Sequence, residues 1–171
     1  MPGDLTGLAP DIEETLRAIE AAVAGMTPEQ LVRAPAGKWS AESVLEHLDL
    51  TFSGTVVGLR KRLETGVRAL TADWKQRIAT WLIVDLGFFP PGFKAPEFAN
   101  PGGGKGGSVL DDIRRHLREM DEVMVECDQK LGAHVAFKHP RLGPLTTAQW
   151  RKFHLVHTRH HMKQIARLRA S

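Results

Sequence analysis

Four stretches of this chain repeat their apolar residues every three or four positions, and no run of six residues alternates them convincingly. That period belongs to the α-helix, and four one-sided helices can bury their stripes only against one another. The first stretch, residues 8–24, carries Leu8, Ile12, Leu16, Ile19 and Val23. The second starts after Ser40, a candidate N-cap, and runs to about Glu64 with Val44, His47, Leu48, Thr51, Thr55 and Leu59 inward. Gly54 and Gly58 share that side, which points to close helix packing or to space for a ligand. The third starts at Ser108, with Asp111 three residues on, and carries Ile113, Leu117, Met120, Met124, Cys127 and Leu131. The fourth opens on Thr146-Thr147-Ala148-Gln149, a capping box, and its stripe is Trp150, His154, His157, His161, Ile165 and Leu168.

Shorter pieces join these. Thr27 is a candidate N-cap, with Pro28 at the first helical position of a short turn. Residues 71–86 read as a further, mostly buried helix containing Trp74, Ile78, Trp81, Leu82 and Leu86. Gly87 to Gly107 reads as a long Gly/Pro-rich loop and a candidate lid, since loops of this length inside a domain are often functional. His139 to Leu145 reads as a connector. The expected fold is all-α: a helical bundle in a single domain over residues 1–171, with an extra helix and one long excursion.

Composition excludes several kinds of chemistry. The one cysteine, Cys127, rules out an intrachain disulfide and a multi-cysteine zinc site, and on the third stripe it reads as a buried core thiol. There is no tyrosine to act as nucleophile or acid. The amino terminus lacks the blocks of a signal peptide, and the longest apolar stretch is broken by Asp85 and Pro90-Pro91. The expectation is a soluble, cytoplasmic protein with no membrane partner. Lys105 lies among glycines, but Gly106 follows it where a phosphate-binding loop needs Ser or Thr.

The net charge of +3 hides an asymmetry, because no acidic residue follows Asp128 while nine basic ones do. Such an end attracts anions, or it packs beside an acidic helix such as the first, with Asp11, Glu13, Glu14 and Glu20. The basic residues are not interleaved with aromatics in any nucleic-acid motif, so no nucleic-acid partner is expected.

Eight histidines are the unusual entry in the composition, and four of them fall between 154 and 161. His157 and His161 lie one helical turn apart on one face, a spacing that suits two nitrogens on one divalent metal. The bland alternative is a pair of half-buried, water-bonded histidines. His47, on the inward face of another helix, is the best third ligand, and three imidazoles leave a position open for water or substrate. His154 could line the pocket, add a fourth ligand, or act as general base; it is the candidate catalytic proton shuttle. His160 falls to the second shell or the surface, and Gln164 is placed to orient an imidazole. His116, His134 and His139 read as structural or surface residues.

The blocks Trp39-Ser40-Ala41-Glu42-Ser43-Val44-Leu45-Glu46-His47-Leu48 and His157-Thr158-Arg159-His160-His161-Met162-Lys163-Gln164-Ile165 resemble the first and last blocks of the DinB-like superfamily. His139-Pro140 through Leu145-Thr146 and Trp150 resembles one branch of unknown function. The resemblance implies an antiparallel four-helix bundle with a long crossover, often a homodimer. It also implies a divalent metal, zinc or nickel in many members, held by a histidine triad that falls here on His47, His157 and His161. Characterised relatives include mycothiol-dependent maleylpyruvate isomerase and bacillithiol transferases, which use a low-molecular-weight thiol; others are metal-dependent hydrolases by name alone.

Two functions follow as expectations. The first is a metal-dependent enzyme, a thiol-dependent S-transferase or hydrolase acting on a small and anionic molecule. The second is a non-catalytic metal- or ligand-binding bundle or dimerisation module. The superfamily's name suggests DNA repair, which none of these residues supports.

Overall fold

A computed structural model describes residues 7–66, 70–89, 96–103, 108–132 and 137–170. Helix α1 spans Pro10–Val23, α2 Pro28–Val32, α3 Ala41–Thr65, α4 Trp74–Thr80, α5 Val109–Leu131 and α6 Thr147–Arg169. α4 continues into a π-helical turn, Trp81–Asp85, and a 3-10 turn covers Glu97–Ala99.

The expected start signals work as read, with one exception. Ser40 accepts the Ser43 N–H, and Thr27 and Thr146 each form a capping box with the glutamine three residues on. Ser108 stands just before α5 in helical conformation and makes no side-chain cap; Asp111 and Asp112 face the positive end of the helix dipole instead.

The four long helices make the bundle. Paired contacts set their relative directions. Ala9 and Glu20 of the α1 strand of chain meet Asp121 and Arg114, so α1 and α5 run in opposite senses. His47 and Thr55 meet His157 and His154, so α3 and α6 also do. Asp49 and Leu59 meet His116 and Cys127, so α3 and α5 run in the same sense, and Glu14 and Ala22 meet Arg159 and Arg169, so α1 and α6 do too. The order is up-down-down-up. Two consecutive parallel helices cannot be joined by a tight turn, and the long connection from 66 to 108 is the physical consequence.

The core comes from the predicted stripes: Ile12, Leu16 and Ile19 of α1; Val44, Leu48 and Leu59 of α3; Ile113, Leu117, Met120, Met124 and Cys127 of α5; Trp150 and Ile165 of α6; the fully buried Phe52 of α3, absent from the predicted stripe, joins them. Thr51, Leu131 and Leu168 lie at its half-buried margin. The basic α6 is neutralised by acidic neighbours: Arg159 pairs with Glu14, Arg151 with Asp121 at 2.8 Å, and Lys152 with Asp85 at 3.5 Å. Glu13 and Glu20 of α1 pair instead with Arg17 and Arg114.

Three expectations need correction. Residues 71–86 are not mostly buried: Trp74, Ile78, Trp81 and Leu86 are 49–67% exposed, and only Thr80, Ile83 and Val84 are buried. Trp74, Ile78 and Trp81 do share one face, as the period implies, but that face is turned to solvent. The connector 139–145 contains an antiparallel hairpin, β1 Phe137–His139 with β2 Gly143–Leu145, whose three-residue strands are too short to show a pattern. Gly143 sits at φ +76°, and a Cβ there would come within 2.4 Å of the Gln76 side chain, so α4 seats directly on the hairpin. Gly54 admits no neighbouring helix; the Phe98 ring lies 3.6 Å from where its Cβ would be. Lys105, His134 and parts of the long loop (90–95 and 104–107) lie outside the described residues. Among the described residues no helix is long and apolar enough to cross a membrane.

These faces predict unequal mutational costs. Leu117→Ala, at a fully buried position, should destabilise the protein by about 2–5 kcal/mol in urea titrations. Trp74→Ala should change stability by no more than about 0.5 kcal/mol. Equal losses would contradict the assigned faces.

Candidate metal centre

The three histidines singled out in the sequence come together. His47 from α3 and His157 and His161 from α6 are 3–9% exposed, and a ligand nitrogen from each lies within 4.8 Å of the others. The Nε2 of His157 is 3.4 Å from that of His47 and 3.1 Å from that of His161. Two nitrogens bound to one ion at about 2.0–2.1 Å lie about 2.9–3.4 Å apart across octahedral or tetrahedral angles, so the spacing fits a shared cation.

The hydrogen bonds around the rings fix which nitrogens are free. His47 donates its Nδ1 proton to the Ala99 carbonyl at 2.7 Å. His161 donates its Nδ1 proton to Gln164 Oε1 at 3.2 Å, as the sequence spacing anticipated. Both Nε2 atoms are therefore bare lone pairs aimed at His157. A neutral His157 has one proton and can satisfy at most one of them. At least one lone pair faces another without a proton between them, an arrangement that a cation resolves. His157 Nδ1 is itself buried with no partner among the described residues.

Aromatic rings close the site. Trp39 lies 5.0 Å from the His47 ring, Phe89 5.5 Å from His157, and Phe153 stacks on His157 at 5.4 Å and 10°. The triad lies in the wall of a cavity of about 960 Å³, which Gly54, Phe98, Asn100 and the hairpin also line. Burial, reinforced by the neighbouring imidazoles, pushes His161 down to about 3 and His157 well below its usual range. Burial also lowers His47, against the Ala99 bond. Neutral imidazoles are the form that binds metal.

A family model described as the DinB superfamily matches residues 11–165. The chain belongs to the DinB superfamily. No curated protein and no solved structure matches it.

The other histidines of this DinB-superfamily chain divide by geometry. His154 is fully buried but stands apart from the triad: its Nε2 is 3.1 Å from Thr55 Oγ1. That hydroxyl also donates to the Thr51 carbonyl at 2.9 Å, so the proton of the His154–Thr55 bond comes from the imidazole. Burial pushes His154 down to about 3, which holds it neutral. His160 stays exposed and rests 5.2 Å from Phe89. His116 is no simple surface residue; its Nδ1 lies 2.6 Å from the fully buried Asp49 carboxylate and supplies that acid a partner. His139, set aside in the sequence, lines the cavity and packs on Trp150 and Phe153.

Sequence reasoning also missed the clamp on the long connection. The buried Glu46, next to His47, accepts the Gly103 N–H at 2.9 Å, while Ala99 is fully buried beneath it. Segment 96–103 is thus tied to α3 at two adjacent residues. A backbone carbonyl has no sequence signature, so the Ala99 carbonyl that orients His47 was invisible.

His154 and His139, the latter pushed down to about 4 by burial, add to the triad's histidines in giving stability a pH dependence. Both are neutral in the folded chain and protonate at about 6.5 when it unfolds. The unfolded state then binds more protons below that value. Stability measured by urea denaturation with a chelator present should be flat above pH 7. Below pH 6.5 it should fall, each histidine contributing up to about 1.4 kcal/mol per pH unit until its folded value is reached. A stability unchanged between pH 7.5 and 5 would contradict the burial of these rings.

Proposed function

We propose that this chain is a divalent-metal-dependent enzyme, a thiol-dependent S-transferase or hydrolase acting on a small molecule, with His47, His157 and His161 as the metal ligands. The observation that carries the reading is the convergence of three Nε2 atoms, two of them fixed as lone pairs, on the wall of a large cavity. Zinc or nickel suits three neutral imidazoles. Bound there, the ion would supply Lewis acidity, keeping a thiol as thiolate or bringing the pKa of water near 7.

The protein's own residues have separable tasks. Ala99 and Gln164 hold the tautomers of His47 and His161, and Glu46 holds the segment that presents Ala99. Trp39, Phe89 and Phe153 keep bulk water from the rings and offer an apolar bed for the substrate body. Three neutral ligands leave the full charge of the ion uncompensated, which favours a thiolate or another anion as ligand. His154 serves in this reading as a neutral hydrogen-bonding wall; a proton shuttle would need a value nearer the working pH.

The test is metal content together with open coordination. Elemental mass spectrometry of tag-free protein should find near-stoichiometric metal, lost in both His47→Ala and His157→Ala. The cobalt-substituted protein should change its visible spectrum when a small thiol is added, because an open position admits it. Metal-free protein that takes up neither zinc nor nickel would overturn the metal site. A bound metal whose cobalt spectrum ignores thiols and anions would favour a non-catalytic metal-binding bundle.

A further inference from the structure

The outer face of α4 and its π turn is apolar and turned to solvent. Trp74, Ile78 and Trp81 recur at four and three residues, one side of a helix, and each is about half to two-thirds exposed. The π turn lengthens the row. The Leu86 N–H bonds the Trp81 carbonyl at 3.0 Å, five residues back. Leu86, also more than half exposed, thus takes the place above Trp81 that an unbroken α-helix would give to Asp85. The other side of α4 is committed to the hairpin: Thr80 Oγ1 bonds the Leu142 carbonyl at 3.1 Å, and Gln76 abuts Gly143. None of the four outer residues lines the cavity, so the row serves neither the core nor the candidate site.

Size and symmetry say what covers it. Two tryptophans, an isoleucine and a leucine exposed to this degree leave about 450 Å² of apolar surface in water. A standard protein interface takes about 800 Å² from each partner, about 56–65% of it non-polar, so this row supplies the apolar share of one such interface. The row is also complementary to itself when reversed. Laid antiparallel on a second copy, with the two-fold axis between Ile78 and Trp81, Trp74 meets Leu86 and Ile78 meets Trp81, each indole against an aliphatic side chain. The charges reverse in the same way. Lys75 and Arg77 lie toward the start of the row, with Lys75 5.5 Å from the Trp74 ring, and the half-exposed Asp85 lies at its end. Asp73, the acid at the start, is used by the helix cap. Antiparallel pairing therefore lays each basic end on the other's acidic end, whereas a parallel pairing would set like charges and like rings together.

From this self-complementary row we infer that the chain associates as a two-fold dimer through α4 and its π turn, antiparallel to the same face of a second copy. Both cavities stay open in that dimer, and its formation needs no metal.

Sedimentation velocity on the full chain at micromolar concentration, with and without a chelator, should give twice the mass of one chain. Ile78→Glu places two carboxylates beside the axis and should weaken association more than about 100-fold. Ile78 is half exposed in the single chain, so circular dichroism of this variant should match the wild type. Trp74→Ala, near neutral for the stability of the single chain, should weaken the dimer about ten-fold or more. Lys75→Glu combined with Arg77→Glu should weaken it about ten-fold. Oxidative crosslinking reads the direction of the pairing. Ile78→Cys lies close to its own copy and should link the two chains, while Trp74→Cys, about 16 Å from its copy along the helix axis, should not. The native Cys127 is buried and leaves the readout clean. A monomeric wild type, a dimer that Ile78→Glu leaves intact, or a Trp74→Cys link as ready as that of Ile78→Cys would each overturn the inference. A monomer that adheres to anionic lipid vesicles through Trp74 would also overturn it and assign the row to a membrane surface.

Discussion

The bond from His47 Nδ1 to the Ala99 carbonyl, 2.7 Å long, is the contact on which the site depends. It commits the ring to one tautomer and turns its Nε2 lone pair toward α6. It also joins the bundle to the long connection, since Ala99 belongs to the turn between α4 and α5. Gln164 does the same for His161 from within α6. With two rings fixed as acceptors, the third cannot satisfy both, and the buried cluster is an anion-like socket made from neutral groups. In a low-dielectric interior such unpaired polar atoms are costly, and aromatic walls make the cost larger.

The bundle's topology explains why the connection reaches the site at all. α3 and α5 run in the same sense, so the chain must return the length of the bundle between them. That return carries a segment with no helix-forming pattern over His47. Its attachment at Glu46 and its neighbour converts a topological necessity into a wall of the cavity. The hairpin before α6 closes another side, and α4 braces it.

Much of this was legible in the residues. Stripes and capping boxes located the long helices, because caps and 3.6-residue periods act within a few residues of chain. The spacing of His157 and His161 and the inward face of His47 located the triad for the same reason. What was not legible is tertiary or irregular. Trp74, Ile78 and Trp81 share one helical face, but a period alone does not say which face meets the core, and theirs lies outside it. His139 sits on strands of three residues, which carry no pattern, and its place beside Phe153 comes from the hairpin's docking. The Ala99 carbonyl and the Asp49–His116 pair depend on which helices lie side by side. His154 shared the triad's stripe, but a helix of 3.6 residues per turn rotates it toward Thr55.

X-ray absorption of the zinc-loaded protein tests the central claim most directly. Three imidazole nitrogens at about 2.0–2.1 Å, joined by at least one light oxygen donor that an added thiol replaces with sulfur, is the result the account predicts. A shell of four protein ligands that exogenous thiol leaves unchanged, or one with fewer than three imidazoles, would contradict it.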